Sequence, residues 1–182
     1  MGTTSYCKHA EVETGALPTF QTNEVGIPLI LNNSVEGTVC KKCGAVLSHA
    51  IKYPDRLIAA AAVARVLEPE KLTGSEIKFL RKALKEPARV LADLLQVAPE
   101  TISRWENDER PMNPQSEKLL RIYVGLTLGQ HAPAVDFNPE QVLALDIRPS
   151  LGRSLVMSFR LVDFKVPGQA IEPYFAQQKE AA

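Results

Sequence analysis

Three cysteines and three histidines carry most of the chemistry this sequence could offer, and the spacing of two cysteines narrows it. Cys40-Lys41-Lys42-Cys43-Gly44 is a C-x2-C-G knuckle. Its tight turn points both thiolates at one ion, and the glycine takes a backbone conformation that a side chain resists. A structural zinc takes four ligands, so two more must come from elsewhere. Cys7 and His9, far upstream, are the nearest pair, with Ala10 standing where a C-x2-C spacing would put another cysteine. His49 competes with His9 for the fourth place. An odd cysteine count without an export signal argues against a disulfide framework and leaves metal binding or plain burial. The expectation is a structural Zn2+ held by Cys7, His9, Cys40 and Cys43. A catalytic zinc needs an open coordination position and a polar pocket, of which the sequence gives no sign.

The element that must position these ligands is a small β-rich unit, residues 1–54. Strand-like pieces run from Glu24 to Leu31 and from Ser34 to Cys40, with Asn32-Asn33 as the turn between them. So few apolar residues bury too little area to offset chain entropy, and a metal would supply the missing folding free energy. Pro54 and Asp55 close this unit. Asp55 is the expected N-cap of an alanine-rich connecting helix, Arg56 to Leu67, within residues 55–70. Its apolar residues lie nearly all round, which implies burial against another element or another subunit.

From Thr73 the period is helical. Thr73 or Ser75 caps a helix whose apolar face is Ile77, Phe79, Leu80 and Leu84, with Lys78, Arg81, Lys82 and Lys85 outward. Pro87 opens a second helix with Val90, Leu91, Leu94 and Leu95 inside and a small residue, Ala92, for close approach. After Gln96-Val97-Ala98, a third helix runs from Pro99 to Asn107, with Ile102 and Trp105 facing inward. Two short helices joined by a three-residue turn project the second from the surface, sized for a DNA major groove about 12 Å wide. Arg89, near the start of the second helix, suits a phosphate. A fourth helix, Gln115 to Leu126, follows Asn113-Pro114 and closes the bundle at residues 71–130. Lys71 to Gln130 holds ten basic residues against eight acidic ones. Non-specific DNA binding should therefore be weak.

The stretch from Leu91-Ala92-Asp93 through Val97 to Thr101-Ile102-Ser103-Arg104-Trp105-Glu106-Asn107 resembles the Xre/Cro-type helix-turn-helix. With the knuckle and connecting helix before it, the chain resembles the MqsA/YgiT-type zinc finger plus helix-turn-helix proteins over roughly Tyr6 to Val124. That family contains antitoxins that repress their own operons. The resemblance implies that Pro99, Glu100, Thr101, Ser103 and Arg104 face the groove and that Asn107 lies near the DNA backbone. Arg104 would hold guanine O6 and N7, a contact giving about 1–3 kcal/mol of discrimination; the competing use of its guanidinium is a surface pair with Asp108. It also implies a homodimer, in which the last helix often takes part. Two departures stand out: Ala88 where the pattern usually has glutamine, and Gln96 where glycine is common.

Beyond Gly129, residues 131–182 carry prolines at 133, 139, 149, 167 and 173 that break any long helix. Pro139 to Leu145 reads as a short helix and Ser154 to Lys165 as a strand with Leu155, Met157, Phe159 and Leu161 on one side. The segment reads as a partly irregular extension with a disordered tip, Gln177 to Ala182. The expected fold class is α+β: a zinc-ribbon-like N-terminal unit, then an all-α Xre/Cro-type bundle, then that extension. Zero net charge over 182 residues excludes a strongly basic nucleic-acid coat and an acidic tail. No apolar run nears the roughly 18 residues that span a bilayer, and Met1 to Ser5 has no signal-peptide pattern, so the reading is cytoplasmic. No nucleophile–base pair, phosphate-cradling glycine loop or carboxylate pair is evident, so enzyme activity is not expected. The function expected is a sequence-specific transcriptional regulator, an antitoxin repressing its own operon beside a cognate toxin. The alternative is a zinc-stapled adaptor or toxin-neutralising module that does not bind DNA.

Overall fold

Leu29–Cys40 forms one long strand, β2, at the centre of a five-stranded mixed sheet, and every other strand is arranged around it. The computed structural model describes residues 7–150, 152 and 155–179. Strand β1 (Val12–Thr22) runs antiparallel along one edge of β2 for its whole length. The other edge is divided. Strand β3 (Val46–Ile51) pairs antiparallel with Val35 to Val39, and β4 (Met157–Lys165) pairs parallel with Leu29 to Asn32. Strand β5 (Ile171–Gln178) completes the sheet antiparallel to β4.

This arrangement corrects the expected fold class. The fold is α+β, but no ribbon stands apart from an all-α bundle followed by an irregular extension: the C-terminal residues supply two strands to the same sheet as the N-terminal ones. The expected turn at Asn32-Asn33 lies inside β2. Asn33 takes a left-handed φ of 50°, so the strand bends there without ending, and the partner on that edge changes from β4 to β3. The hairpin turn precedes Leu29 instead, where Gly26 N donates to Asn23 O at 2.9 Å. Strand β1 escaped the sequence reading because both its faces are largely exposed and leave no apolar alternation; Pro18 fits where the register slips between Leu17 and Thr19. Gln177 and Gln178 of the supposed disordered tip belong to β5, while residues 180–182 lie outside the described residues.

Helix α1 (Pro54–Leu67) is the axis of the core. It is buried from Ala59 through Val66, and packs against β5, α2 (Gly74–Ala83) and α5 (Pro114–Leu128). Apolar residues all round its surface are what such a position requires, and the alanines let neighbours approach from every side. Tyr53, with a left-handed φ of 53°, is its N-cap, and Asp55 lies in the first turn. Capping of α2 follows expectation in a stronger form. Thr73 accepts from Glu76 N, and the Glu76 carboxylate accepts from Thr73 N at 2.8 Å, a capping box.

Glu76 has further partners. Arg65 of α1 donates to both its oxygens at 2.7 and 2.9 Å, and Leu155 N, at the entry to β4, donates at 3.1 Å. Burial pushes the Glu76 carboxyl up, but Arg65 and the Thr73 and Leu155 amides outweigh it and hold it below the usual carboxylate range. Nearby, buried Arg121 of α5 donates to Glu117 at 2.8 Å and to the carbonyls of Val66, Glu68 and Glu70. These two ion pairs satisfy the backbone of the α1–α2 connector, which would otherwise be buried without partners.

Helices α3 (Ala88–Leu94) and α4 (Pro99–Glu106) lie where the periodicity puts them, and Gln96 takes the left-handed turn conformation with φ 53°. The face assignments need two corrections. Arg81 does not point outward but grips Glu106 with two hydrogen bonds, at 2.5 and 3.0 Å, fastening α2 to α4. Val90 and Leu94 are exposed, so the inner face of α3 consists of Leu91, Ala92 and Leu95. Short α6 (Pro139–Ala144) packs on α5. No helix among the described residues is long and apolar enough to cross a membrane.

Candidate metal centre and candidate nucleic-acid interface

Strand β2 ends at Cys40, and the turn that leads into β3 carries Cys43. Gly44, at φ 71°, donates its N–H to Cys40 O at 2.8 Å, and Cys40 N donates to Ala45 O at 2.9 Å, so the knuckle closes on itself. The segment before β1 is brought alongside when Lys41 N donates to Glu11 O at 3.0 Å. That pairing delivers Cys7 and His9. The four ligand atoms of Cys7, His9, Cys40 and Cys43 lie within 4.8 Å of one another. Cys7 Sγ and Cys40 Sγ are 3.5 Å apart, and Cys43 Sγ and His9 Nδ1 are 3.6 Å apart. Tetrahedral ligands at about 2.0–2.3 Å from an ion are separated by roughly 3.5–3.8 Å, so the cluster fits one four-coordinate metal.

His9 reaches this position through a left-handed backbone, φ 49°. Hydrogen bonding from His9, and then from the Cys43 backbone, holds the Cys40 thiol down at about 6, the direction that favours a thiolate ligand. At Cys43 a backbone hydrogen bond from Ala45 acts downward, but burial and the neighbouring Cys40 and Cys7 outweigh it and push that thiol up. A metal would remove this conflict by neutralising the crowded sulfurs. With four protein ligands no position is open for substrate, so the arrangement suits a structural ion. His49 is not in the cluster: it sits on β3 opposite Gly37, with Nε2 2.9 Å from Glu24.

The second candidate is the α3–α4 pair. Ile102 and Trp105 are buried and anchor α4 to the core. The C-terminal end of α4 is fixed independently: Asp108 accepts from Gly74 N at 2.7 Å, and a Cβ at Gly74 would lie 2.6 Å from Trp105 O. On the outward side, Pro99, Glu100, Ser103, Arg104 and Asn107 are exposed, as is Arg89 on α3. Thr101 is half-buried at the border and lines a cleft of about 240 Å3 with Val97, Arg110 and Asn113. Arg104 has no ion pair among the described residues, and the surface pair with Asp108 is not formed: Asp108 is occupied at the α2 cap. Ser103 and Asn107 sit one turn apart, their side chains 3.5 Å from each other.

The sequence reading placed the fourth helix in the bundle without dividing its surface into faces. Leu120, Val124 and Leu128 face the core, whereas Leu119 and Leu126 are exposed at 44% and 63%, with Ile122 and Tyr123 half-exposed between them. The i, i+3, i+4, i+7 spacing was the available signal for an outward stripe. The buried Arg65–Glu76 and Arg121–Glu117 pairs were missed, although an arginine inside an alanine run and a Glu/Arg pair at i,i+4 were legible marks. Comparison with family models, with curated proteins and with solved structures returns no match for this chain.

Proposed function

We propose that this chain is a metal-stapled, dimeric transcriptional regulator that reads double-stranded DNA with α4, the metal being Zn2+. One observation carries the reading. Helix α4 is locked from beneath by Trp105, Ile102, the Arg81–Glu106 pair and the Asp108 cap, while its outward residues stay exposed and Arg104 is uncommitted. A rigid short helix with an exposed guanidinium is what base-edge recognition requires. Arg89 and the Arg110–Asn113 loop border it and supply groups for phosphates. Three thiols and one imidazole favour zinc over harder ions, and a closed four-ligand set suits a structural role.

The apolar stripe Leu119, Ile122, Tyr123 and Leu126 supports a homodimer through α5, since it carries no charge and its outer residues Leu119 and Leu126 are exposed. The antitoxin role rests on the resemblance of the knuckle and the T-I-S-R-W-E run alone. Selection from a pool of randomised duplexes tests DNA reading whatever the operator sequence. The expected result is a two-part consensus bound in proportion to protein dimer, with Arg104→Ala weakening binding about tenfold or more while leaving the fold intact. Recovery of no consensus at low salt would favour the adaptor alternative.

A further inference from the structure

The cluster that fits a metal is also a set of three thiols gathered at one end of the sheet, and they differ in access. Cys43 is exposed on the knuckle, Cys7 is half-buried, and Cys40 is buried at the end of β2. Their contacts divide the cluster in two. Cys40 Sγ lies 3.5 Å from Cys7 Sγ, while Cys43 Sγ lies 3.6 Å from His9 Nδ1. Cys7 and Cys40 are 33 residues apart in the chain and belong to opposite ends of the β1–β2 hairpin. Backbone pairing holds them side by side: Val12 is in register with Cys40, and Lys41 N donates to Glu11 O at 3.0 Å. The two sulfurs therefore meet without any rearrangement of the strands.

The odd number of thiols has a consequence. A disulfide would use two of the four ligands, and the remaining pair cannot complete the four-ligand set of a structural metal. Metal-bound and disulfide-bonded states exclude one another. Both, however, tie the segment before β1 to the end of β2. We propose that the cluster is a reversible oxidation site, in which hydrogen peroxide joins Cys7 to Cys40 and the disulfide replaces the metal as the staple of the hairpin tip. The exposed Cys43 is the point of entry. Its sulfur takes one peroxide oxygen as the O–O bond breaks, giving a sulfenic acid and water. Cys40 attacks that sulfur and releases a second water, and Cys7 then attacks Cys40 and expels the Cys43 thiol. In sum, two thiols lose two electrons and two protons, and the peroxide leaves as two waters. The exchange runs toward Cys7–Cys40 because a Cys40–Cys43 bond would close only the short knuckle, which Gly44 N to Cys40 O and Cys40 N to Ala45 O already close. The longer loop restrains the unfolded chain more. This inference rests on the metal reading only for what is expelled, and it does not depend on DNA binding.

The test is oxidation of the zinc-loaded full chain with graded hydrogen peroxide. Zinc release is followed with a chromophoric chelator, disulfides by unreduced peptide mapping, and the hairpin by amide hydrogen exchange. Zinc should leave as a disulfide links the Cys7 peptide to the Cys40 peptide, and dithiothreitol with zinc should restore the starting state. Protection at residues 12–16 should survive oxidation, although chelation of the reduced chain removes it. Oxidised Cys7→Ser, which within one chain can join only Cys40 to Cys43, should lose that protection. Thiols that stay reduced with zinc retained, oxidation that ends as a sulfinic acid on Cys43, a bond between Cys40 and Cys43 or between two chains, or an oxidised wild type without protection would each overturn the proposal. A chain that takes up no zinc is recognised before peroxide is added. That result sinks the metal reading alone, and the same peptide map of the metal-free chain still decides the disulfide.

Discussion

The two ends of β2 are held by opposite means. At its N-terminal half, Leu29 and Leu31 are buried in the core cluster that also takes in α1, Met157 and Phe159 of β4 and Phe175 of β5, and two buried ion pairs lie among the helices. At its C-terminal half, Val35 and Cys40 of β2 and Leu17 of β1 are still buried, but β3 and the start of β1 are largely exposed, leaving Val12, Val46 and Leu47 at 42–47% exposure. One strand thus passes from a well-covered core to a region where its own inward residues are buried but its partner strands are mostly uncovered. The Cys/His cluster lies at the second end. The difference teaches where a small protein needs a staple: not where sequence is short of hydrophobic residues overall, but where the topology leaves a hairpin without a covering layer.

The sharpest way to break this contrast is to deny the Cys/His cluster the proposed metal. Chelation, or Cys40→Ser, should abolish hydrogen-exchange protection of residues 12–16 and 46–49, while fluorescence of the single, buried Trp105 stays native. Simultaneous loss of both signals would mean that the two regions are not separately stabilised. Next in size is Glu117→Gln, which leaves Arg121 with an uncompensated buried charge. Urea unfolding followed at Trp105 should show a loss of about 3–5 kcal/mol, with metal content unchanged.

Smaller is Gly125→Ala, whose new Cβ would lie 1.9 Å from the Phe137 ring; overpacking should cost about 1–3 kcal/mol, read in the same assay. Acid probes the helical region more gently. The folded Glu76 carboxyl is held below its usual range, so its contribution is complete above the unfolded value of about 4.3 and is lost as pH falls through the lower, folded value. Glu76→Gln should flatten that part of the urea-midpoint profile. Smallest of all is Lys85→Ala, which removes a solvent-exposed pair with Asp55 and should leave the midpoint unchanged.

Local signals carried the sequence reading of the helices. Thr73, of the two caps weighed, and Pro87, Pro99 and Asn113-Pro114 mark helix starts by chemistry that acts within one turn, and all four mark real ones. The C-x2-C-G knuckle was legible for the same reason, and of the two histidines weighed, His9 is the one in the cluster. What failed was long-range pairing. Met157 lies beside Leu29 through a parallel register between distant segments, and nothing in either segment names the other. Strand β1 was missed because it alternates nothing, and Arg81 was misplaced because its partner, Glu106, is two helices away. The His49–Glu24 contact likewise joins residues 25 positions apart, and neither names the other locally.

The central proposal is that α4 reads DNA and that the Cys/His cluster, once it holds a metal, staples the tip separately. Amide NMR of the zinc-loaded chain, titrated with a selected duplex, tests it directly. The account predicts that the largest shifts fall at residues 99–107 and at Arg89, and that Arg104→Ala removes them without disturbing the rest of the spectrum. Shifts confined to the hairpin tip or to the outer stripe of α5, with α4 unmoved, would contradict it.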